Sequence, residues 1–273
     1  MSWLMAIILG FIQGVTEFIP VSSSGHLAIF QAFGLENIHD RHLFFDVLLH
    51  MGTLVAVCVV YRRDMIEMWR AFSSLIMPSK RNQNVSPEKG RLAFLLVVAT
   101  LPLILVFPFR HMIEQLGNRL WFVGLMLLIT GGILFFSDRL VPGRRTEKNM
   151  TLGSAIVIGL SQCLAALPGI SRSGTTIATG MMGGLDRGFS VRFSFLLSVP
   201  AIFLANIVTL FSSLSTVDWS LMPRYLVGVV VAGITGFFAI HLVKLLVERG
   251  RFGKFAYYCW GIGIIAIVSS IFI

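Results

Sequence analysis

The chain has 273 residues, of which 56% are hydrophobic and only 13% are charged, and its mean hydropathy is +0.84. This composition excludes an ordinary soluble globular domain and indicates an integral membrane protein. The net charge of +9 does not indicate nucleic-acid binding, because the Lys and Arg residues lie mostly in short loops between apolar runs, where they set membrane topology.

The first apolar region, residues 1–35, is long but interrupted. It has no basic start and no small-residue cleavage site, so we interpret it as part of the fold and not as a removable signal. Pro20 and Gly25 are predicted to break it within the stretch PVSSSGH. We therefore expect a re-entrant helical hairpin over about 1–35, with its tip at 18–25.

Full spans are predicted from apolar runs, because a helix needs about 20 residues to cross a hydrocarbon core of roughly 30 Å. The first three are residues 43–61, 92–109 and 120–137. A second interrupted region, 150–185, follows, in which Pro168, Gly169 and Gly174 predict another re-entrant hairpin with its tip at 167–174. The last three spans are predicted at 193–211, 225–243 and 255–273.

Basic residues predict how these segments are oriented. Three loops are rich in Lys and Arg, with seven in 62–91, four in 138–150 and four in 244–254. Such loops remain in the cytoplasm, which places the C-terminus outside. The first interrupted region then dips into the membrane from the outside, and the second dips in from the cytoplasm. The two tips are expected to meet and to line one polar chamber.

The two halves of the sequence repeat one another at an offset of 149 residues. Gly10 matches Gly159, Gln13 matches Gln162, Ser22 matches Ser171, Ser24 matches Ser173, Gly25 matches Gly174, Phe44 matches Phe193 and Leu48 matches Leu197. Each half has one interrupted region and an odd number of spans, which forces opposite orientations. The chain is thus predicted to be an all-α polytopic membrane protein, one domain formed by an inverted-topology repeat of residues 1–149 and 150–273, with its site near the bilayer midplane.

Polar residues at the two tips are the candidates for chemistry. The first tip offers a carboxylate, an amide, hydroxyls and an imidazole, on Gln13, Glu17, Ser22, Ser23, Ser24 and His26. The second tip, PGISRSGTT, surrounds Arg172 with hydroxyls, including those of Ser171, Ser173 and Thr176. A guanidinium near the bilayer centre costs at least about 2.5 kcal/mol, so it requires a partner. Hydroxyls, glycines and a helix expected to begin near Thr175 favour an anion, and the planar guanidinium favours phosphate.

Hydrolysis of a phosphoester or phosphoanhydride would use these groups directly. Ser23 or His26 could supply the nucleophile while the other handles protons, and Glu17 could act as a base or hold a divalent cation. Asp46 and His50, four residues apart on span 43–61, share a helix face and could line the same cavity.

Simpler interpretations exist for each residue. Serines and glycines often serve close helix packing, and Arg172 could form a structural ion pair with Glu17. A lone intramembrane Glu is also common in transporters, as are inverted repeats. The alternative function is therefore a flippase or transporter of a small anion or, as the family resemblance described below implies, of a polyprenyl phosphate. The convergence of all these groups on two interrupted regions favours the phosphatase.

The two tip motifs resemble the signatures of the undecaprenyl-pyrophosphate phosphatase family, also called bacitracin-resistance proteins. QGVTE at 13–17 leads into PVSSSGH, and PGISRSGTT follows at 168–176, in the expected order within a chain of the expected length. The resemblance implies hydrolysis of undecaprenyl pyrophosphate to undecaprenyl phosphate and inorganic phosphate. This reaction recycles the lipid carrier for cell-wall synthesis and gives bacitracin resistance.

Matching positions give each residue an implied role. The catalytic set is Glu17, Ser23, His26 and Arg172, and the phosphate-binding set is Ser22, Ser171, Ser173, Thr176 and Gln13. Gln13 occupies a first slot in which the family has Glu or Gln. A divalent cation, Mg²⁺ or Ca²⁺, is implied, with Glu17 as its ligand. We favour Ser23 as the nucleophile that attacks the terminal phosphorus.

The resemblance also implies a location and partners. The expected location is the bacterial cytoplasmic (inner) membrane, with the active site opening toward the outer, periplasmic side. The expected partners are the polyprenyl pyrophosphate and membrane lipids, without nucleic acid, and a homodimer is a further expectation. The other membrane phosphatase superfamily is set aside, because its second motif would need a histidine where Ala178 stands.

Overall fold

The computed structural model describes residues 1–32, 43–76, 87–213 and 217–272, and these parts of the chain contain helices without a β-strand. The α-helices are α1 Trp3–Phe18, α2 Ser23–Ala32, α3 Leu43–Val60, α4 Arg62–Ile76, α5 Pro87–Thr100, α6 Arg110–Gly117, α7 Leu120–Asp138, α8 Leu152–Leu164, α9 Arg172–Met182, α10 Arg187–Ser213, α11 Met222–Glu248 and α12 Lys254–Ser269. Short 3-10 helices cover Leu101–Phe109 and Trp219–Leu221. The predicted all-α class is confirmed.

Several helices are long and apolar enough to cross a membrane. Within the described residues they are Pro87–Gly117, Leu120–Asp138, Arg187–Ile207 and Trp219–Glu248. A fifth span exists if α3 and α4, which bend by 80° at their junction, are counted together. The prediction of a multi-pass membrane protein is therefore supported. The prediction of six full spans is not confirmed, because α12, predicted as the span 255–273, has only 16 residues.

Each interrupted region consists of two short helices with a non-helical break. Residues 19–22 separate α1 from α2, and residues 165–171 separate α8 from α9. Ser22 has a φ of 69° and Gly169 has a φ of 98°, so both breaks turn through the left-handed region. The predicted breaks at 18–25 and 167–174 thus contain non-helical backbone.

Two details of the tips differ from the sequence prediction. Gly25 and Gly174 lie inside α2 and α9 and do not break them. Ser171 is the N-cap of α9, and its hydroxyl oxygen accepts the Gly174 N–H at 3.1 Å. Because this cap satisfies a first-turn N–H, α9 begins at Arg172 and not near Thr175.

Two further segments differ from the sequence prediction, the first because of proline. The predicted span 92–109 changes from α-helix to 3-10 helix at Leu101, because Pro102 and Pro108 have no N–H to donate. The basic segment 62–91, predicted as a loop, begins with α4. Ile66 and Trp69 are exposed on this helix, as expected for a helix that lies at a membrane interface.

Glycines determine how closely the helices approach. Helix α1 packs against α11, and α8 packs against α5. A Cβ added at Gly10 would lie 2.4 Å from the Gly228 carbonyl oxygen, and one at Gly159 would lie 2.5 Å from the Ala99 carbonyl oxygen. These matching glycines therefore bring each helix into backbone contact with a helix of the other half.

We predict that Gly10→Ala destabilises the protein and that Gly132→Ala does not. The new methyl group at Gly10 would meet backbone atoms of α11, which should lower the melting temperature by at least about 3 °C. A Cβ at Gly132 would meet nothing within 4 Å, so the higher helix propensity of Ala should leave the melting temperature equal or slightly raised. Thermal unfolding in detergent measures both, and equal shifts in the two variants would contradict the prediction.

The core joins both halves of the chain. The Phe18 ring at the end of α1 meets the Phe195 ring of α10 edge to face, with 5.4 Å between centroids. Both side chains belong to one buried cluster with Leu134, Ile177 and Ala256. The ends of α1 and α9 are thereby held next to each other inside the helical bundle.

Candidate active site

Glu17 lies in the last turn of α1, and its side chain is only 3% exposed. Its Oε1 pairs with the Arg172 guanidinium at the start of α9. Its Oε2 accepts hydrogen bonds from Gln13 Nε2 at 3.0 Å and Ser23 Oγ at 3.1 Å. His50 Nε2 on α3 lies 3.7 Å from the same oxygen. The carboxylate is therefore the point at which α1, α2, α3 and α9 meet.

Arg172 provides the countercharge for this buried carboxylate. Burying an ionised carboxylate is unfavourable unless it is paired and hydrogen-bonded, and Glu17 has both kinds of partner. The Arg172 side chain is 22% exposed, so it reaches from Glu17 toward accessible space. A guanidinium has five N–H donors, and the pair with Glu17 leaves donors for a second anion.

The hydroxyls of the two tips have the same arrangement. Ser22 Oγ and Ser24 Oγ are 3.3 Å apart, and so are Ser171 Oγ and Ser173 Oγ. Ser22 Oγ accepts the Gly25 N–H at 3.2 Å, as Ser171 Oγ does for Gly174. The N-termini of α2 and α9 are therefore capped by the same serine hydrogen bond, although the backbone is left-handed at Ser22 and extended at Ser171. Helix N-termini attract anions.

His26 is held by groups other than Glu17 and Ser23. Its Nδ1 is 2.8 Å from the Ser22 carbonyl oxygen, and its Nε2 is 2.8 Å from the Tyr258 hydroxyl of α12. The His26 and Tyr258 rings are parallel, with centroids 5.6 Å apart. Because a carbonyl only accepts, Nδ1 donates and Nε2 accepts from the tyrosine. The histidine that lies beside Glu17 is thus His50.

His50 has its orientation fixed by its own helix. Its Nδ1 donates to the Asp46 carbonyl at 2.8 Å, which turns Nε2 toward Glu17. Asp46 contributes to the site through this carbonyl. Thr176 uses its hydroxyl within the helix bundle, donating to the Arg172 carbonyl at 2.8 Å and lying against Ser194 of α10. Thr176 is therefore one turn inside α9 and not at the tip.

Comparison with known proteins places the chain in a family. A family model described as "Bacitracin resistance protein BacA" matches residues 6–265. The chain belongs to the BacA family. The undecaprenyl-diphosphatase of Methanosphaera stadtmanae is 39% identical over 98% of both chains. That of Methanobrevibacter smithii is 40% identical over 99% of both. That of Syntrophotalea carbinolica is 40% identical over 96% of this chain and 97% of its own.

The candidate active site of this BacA chain supplies only some of the oxygen ligands that a divalent cation needs. No group of three or more His, Cys, Asp or Glu side chains that could hold a metal occurs among the described residues. The site supplies one carboxylate, that of Glu17, and the Gln13 Oε1, which is buried and has no hydrogen-bond partner. Mg²⁺ is usually held by one or two carboxylates together with substrate phosphates and water. The residues thus fit a cation that is shared with a phosphate ligand.

Two features of this BacA chain were missed by the sequence analysis. Tyr258 lies in an apolar run, 232 residues from His26, and a tyrosine in such a run gives no signal of a distant partner. Gln162, the match of Gln13 in the repeat, is buried and its amide has no hydrogen-bond partner among the described residues, which the sequence does not reveal.

Proposed function

We infer that this protein is a membrane phosphatase that hydrolyses undecaprenyl pyrophosphate to undecaprenyl phosphate and inorganic phosphate. Membership of the BacA family over residues 6–265 supports this activity, as do relatives named undecaprenyl-diphosphatase. The observation that carries the inference is the pairing of Arg172 with a buried carboxylate that also holds Ser23. The reaction would recycle the lipid carrier for cell-wall synthesis and give resistance to bacitracin.

Phosphate binding is assigned to the second tip. The Arg172 guanidinium has donors beyond those used by Glu17, and its planar fork suits phosphate oxygens. Ser171 and Ser173 lie on either side of it at the N-terminus of α9, where the helix dipole favours negative charge. Ser22 would add a donor from the first half, and Gln13, whose Nε2 donates to Glu17, would act through that carboxylate. These donors would also stabilise the charge that builds up on the phosphoryl oxygens during the reaction.

Ser23 is the proposed nucleophile. Its hydroxyl already donates to Glu17 Oε2 at 3.1 Å, the arrangement of a nucleophile with its base. As Ser23 Oγ bonds to the terminal phosphorus, the bridging P–O bond breaks with its electron pair on the lipid phosphate, and the serine proton passes to Glu17. Water then attacks the phosphorus of the serine phosphoester, and the Ser23 Oγ–P bond breaks as Glu17 returns its proton to Oγ. Inorganic phosphate leaves with both protons of the water, and Glu17 is again a carboxylate. The proton-handling role of His26 stays a prediction, as does the cavity-lining role of Asp46 and of His50.

A divalent cation, Mg²⁺ or Ca²⁺, is part of the proposal. Glu17 and the unpartnered Gln13 Oε1 would be its protein ligands, and the diphosphate would supply others. When bound, the cation would offset negative charge on the diphosphate. Gln13 would thus serve both the cation, through its oxygen, and Glu17, through its nitrogen.

The inverted-topology repeat of residues 1–149 and 150–273, with re-entrant hairpins at about 1–35 and 150–185, is likewise a proposal. Matching contacts support it. The buried face of α8 consists of Ala155, Ile158, Gly159 and Gln162, at the positions that match buried Ala6, Leu9, Gly10 and Gln13 of α1. The two serine-capped turns also have the same hydrogen bonds. Residues 33–35 of the first hairpin lie outside the described residues.

The proposed location is the bacterial cytoplasmic membrane, with the site opening toward its outer side. Basic residues at 62–91, 138–150 and 244–254 support an orientation with these segments in the cytoplasm. The homodimer stays a prediction, which light scattering of the purified protein in detergent would test.

Phosphate release by purified protein tests the proposed function. The protein in detergent would be mixed with undecaprenyl pyrophosphate and Mg²⁺ or Ca²⁺, and free phosphate would be measured for the wild type and for Glu17→Ala. A phosphatase needs no second compartment, whereas a flippase does. Release by the wild type and its loss in Glu17→Ala are expected. A folded wild-type protein that releases no phosphate would contradict the function.

A further inference from the structure

Gln162 is a buried amide without a hydrogen-bond partner. It lies in the last turn of α8 and is 2% exposed, and neither its Nε2 nor its Oε1 has a partner among the described residues. An amide offers two donors and two acceptor lone pairs, so leaving both atoms unpaired in the interior is unfavourable. Such a group in a native structure requires an explanation, and a bound ligand is one.

The matching residue in the first half shows which way this amide points. Gln13 occupies the same position on α1, and its Nε2 donates to Glu17 at 3.0 Å. The residue of the second half that matches Glu17 is Ala166, so Gln162 has the position of Gln13 but lacks its carboxylate. By this equivalence we expect the Gln162 amide to face the second tip, as Gln13 faces the first.

A second unpartnered group lies in α9, just after the second tip. Thr175 is in the first turn of α9, is 4% exposed, and its hydroxyl has no partner in the described structure. Helices α8 and α9 pack against each other, so the last turn of one and the first turn of the other flank the break 165–171. Arg172, the first residue of α9, directly follows this break.

We propose that Gln162 donates its side-chain amide to a phosphate oxygen of the diphosphate head, as a substrate-binding residue of the second half. This inference rests on the proposed function and extends its phosphate site beyond the motif PGISRSGTT. In the first half the equivalent amide is used by the protein's own carboxylate, and in the second half it would be used by the anionic group of the substrate. The two matching glutamines would thus have acquired different partners.

The Gln162→Leu variant is expected to be more stable than the wild type but to bind the substrate more weakly. Leucine has a similar volume and removes an unpaired amide, so we expect the melting temperature without ligand to rise by about 2 °C or more. We also expect KM for undecaprenyl pyrophosphate to rise about tenfold, the loss of one hydrogen bond to a charged group, with kcat within about twofold. A residue with a purely structural role would lower the melting temperature on removal.

Two matched variants complete the comparison. Gln13→Leu should lower the melting temperature, because it removes the hydrogen bond to Glu17. Gln115→Leu, on exposed surface of α6, should leave KM and the melting temperature unchanged. If Gln162→Leu proves unable to fold, Gln162→Asn retains the amide but shortens its reach, and it should show the same increase in KM. An unchanged KM in a folded Gln162 variant, or a lowered melting temperature in Gln162→Leu, would overturn the proposal.

A binding measurement separates this proposal from the proposed function. Methylenediphosphonate, a diphosphate analogue that is not hydrolysed, should raise the melting temperature of the wild type and have a clearly smaller effect on Gln162→Leu. This result would support the role of Gln162 even if the wild type released no phosphate from the lipid. Equal stabilisation of both proteins by methylenediphosphonate would overturn the role of Gln162 while leaving the phosphatase activity intact.

Discussion

Arg172→Lys is expected to lower kcat/KM for phosphate release at least about a hundredfold, while the protein still inserts and folds. Lysine keeps the positive charge but replaces the planar fork with a single ammonium group. It can neutralise Glu17 or bind a phosphate oxygen, but it cannot present donors to both in fixed directions. The effect should therefore be larger on phosphate release than on thermal stability. Phosphate release in detergent and thermal unfolding are the measurements.

Arg144→Lys is the matched control for this experiment, since Arg144 is exposed in the segment between α7 and α8. It should retain wild-type phosphate release. Near-normal turnover by Arg172→Lys would contradict the role of the guanidinium in binding phosphate. If Arg172→Lys does not fold, it is replaced by Arg172→Gln in combination with Glu17→Gln, the double variant described below.

Glu17→Gln is expected to have the largest effect, a loss of about a thousandfold or more in kcat, because it removes the base for Ser23 and the charged partner of Arg172. The amide keeps the shape of the side chain but carries no charge and accepts a proton poorly. Arg172, 22% exposed, would then be left without its countercharge. We therefore expect a lower melting temperature as well as a loss of phosphate release.

The double variant Glu17→Gln/Arg172→Gln distinguishes the two consequences. It removes both charges, so its melting temperature should be higher than that of Glu17→Gln alone, whereas its phosphate release should remain absent. If the double variant loses as much stability as Glu17→Gln and Arg172→Gln lose together, the two charges do not stabilise each other. Phosphate release by folded Glu17→Gln at more than about a tenth of the wild-type rate would contradict the role of Glu17 as base.

Intramembrane charge and helix-breaking residues made the main features of the site predictable. Pro20 and Pro168 indicated the two breaks. An arginine among apolar residues indicated a partner, for which the sequence favoured a phosphate and offered Glu17 as the alternative, and the structure pairs it with Glu17. The equal spacing of the two SxSG elements predicted equivalent turns, and their hydrogen bonds are the same. These features depend on local sequence or on a strong electrostatic requirement, which few alternative folds could satisfy.

Side-chain partners that depend on packing alone were not predictable. His26 and Tyr258 are joined across 232 residues, and no local pattern connects a tyrosine of α12 to the first tip. The arrangement of His50 beside Glu17 was suggested only by its spacing from Asp46. The approach of α3 to α1 depends on how Gly52 of α3 and Gly10 of α1 pack against the backbone of α11. The length of α12 was overestimated, since apolar composition continues beyond Ser269 where the helix ends.

Glu17 and Arg172 come from opposite halves of the chain, 155 residues apart, and this separation has a consequence for biosynthesis. The carboxylate leaves the ribosome long before its partner has been made. A nascent chain that placed α1 in lipid at once would hold an unpaired acid there. We therefore expect α1 to remain at the water interface, or to enter the membrane with its acid protonated, until α9 has been translated.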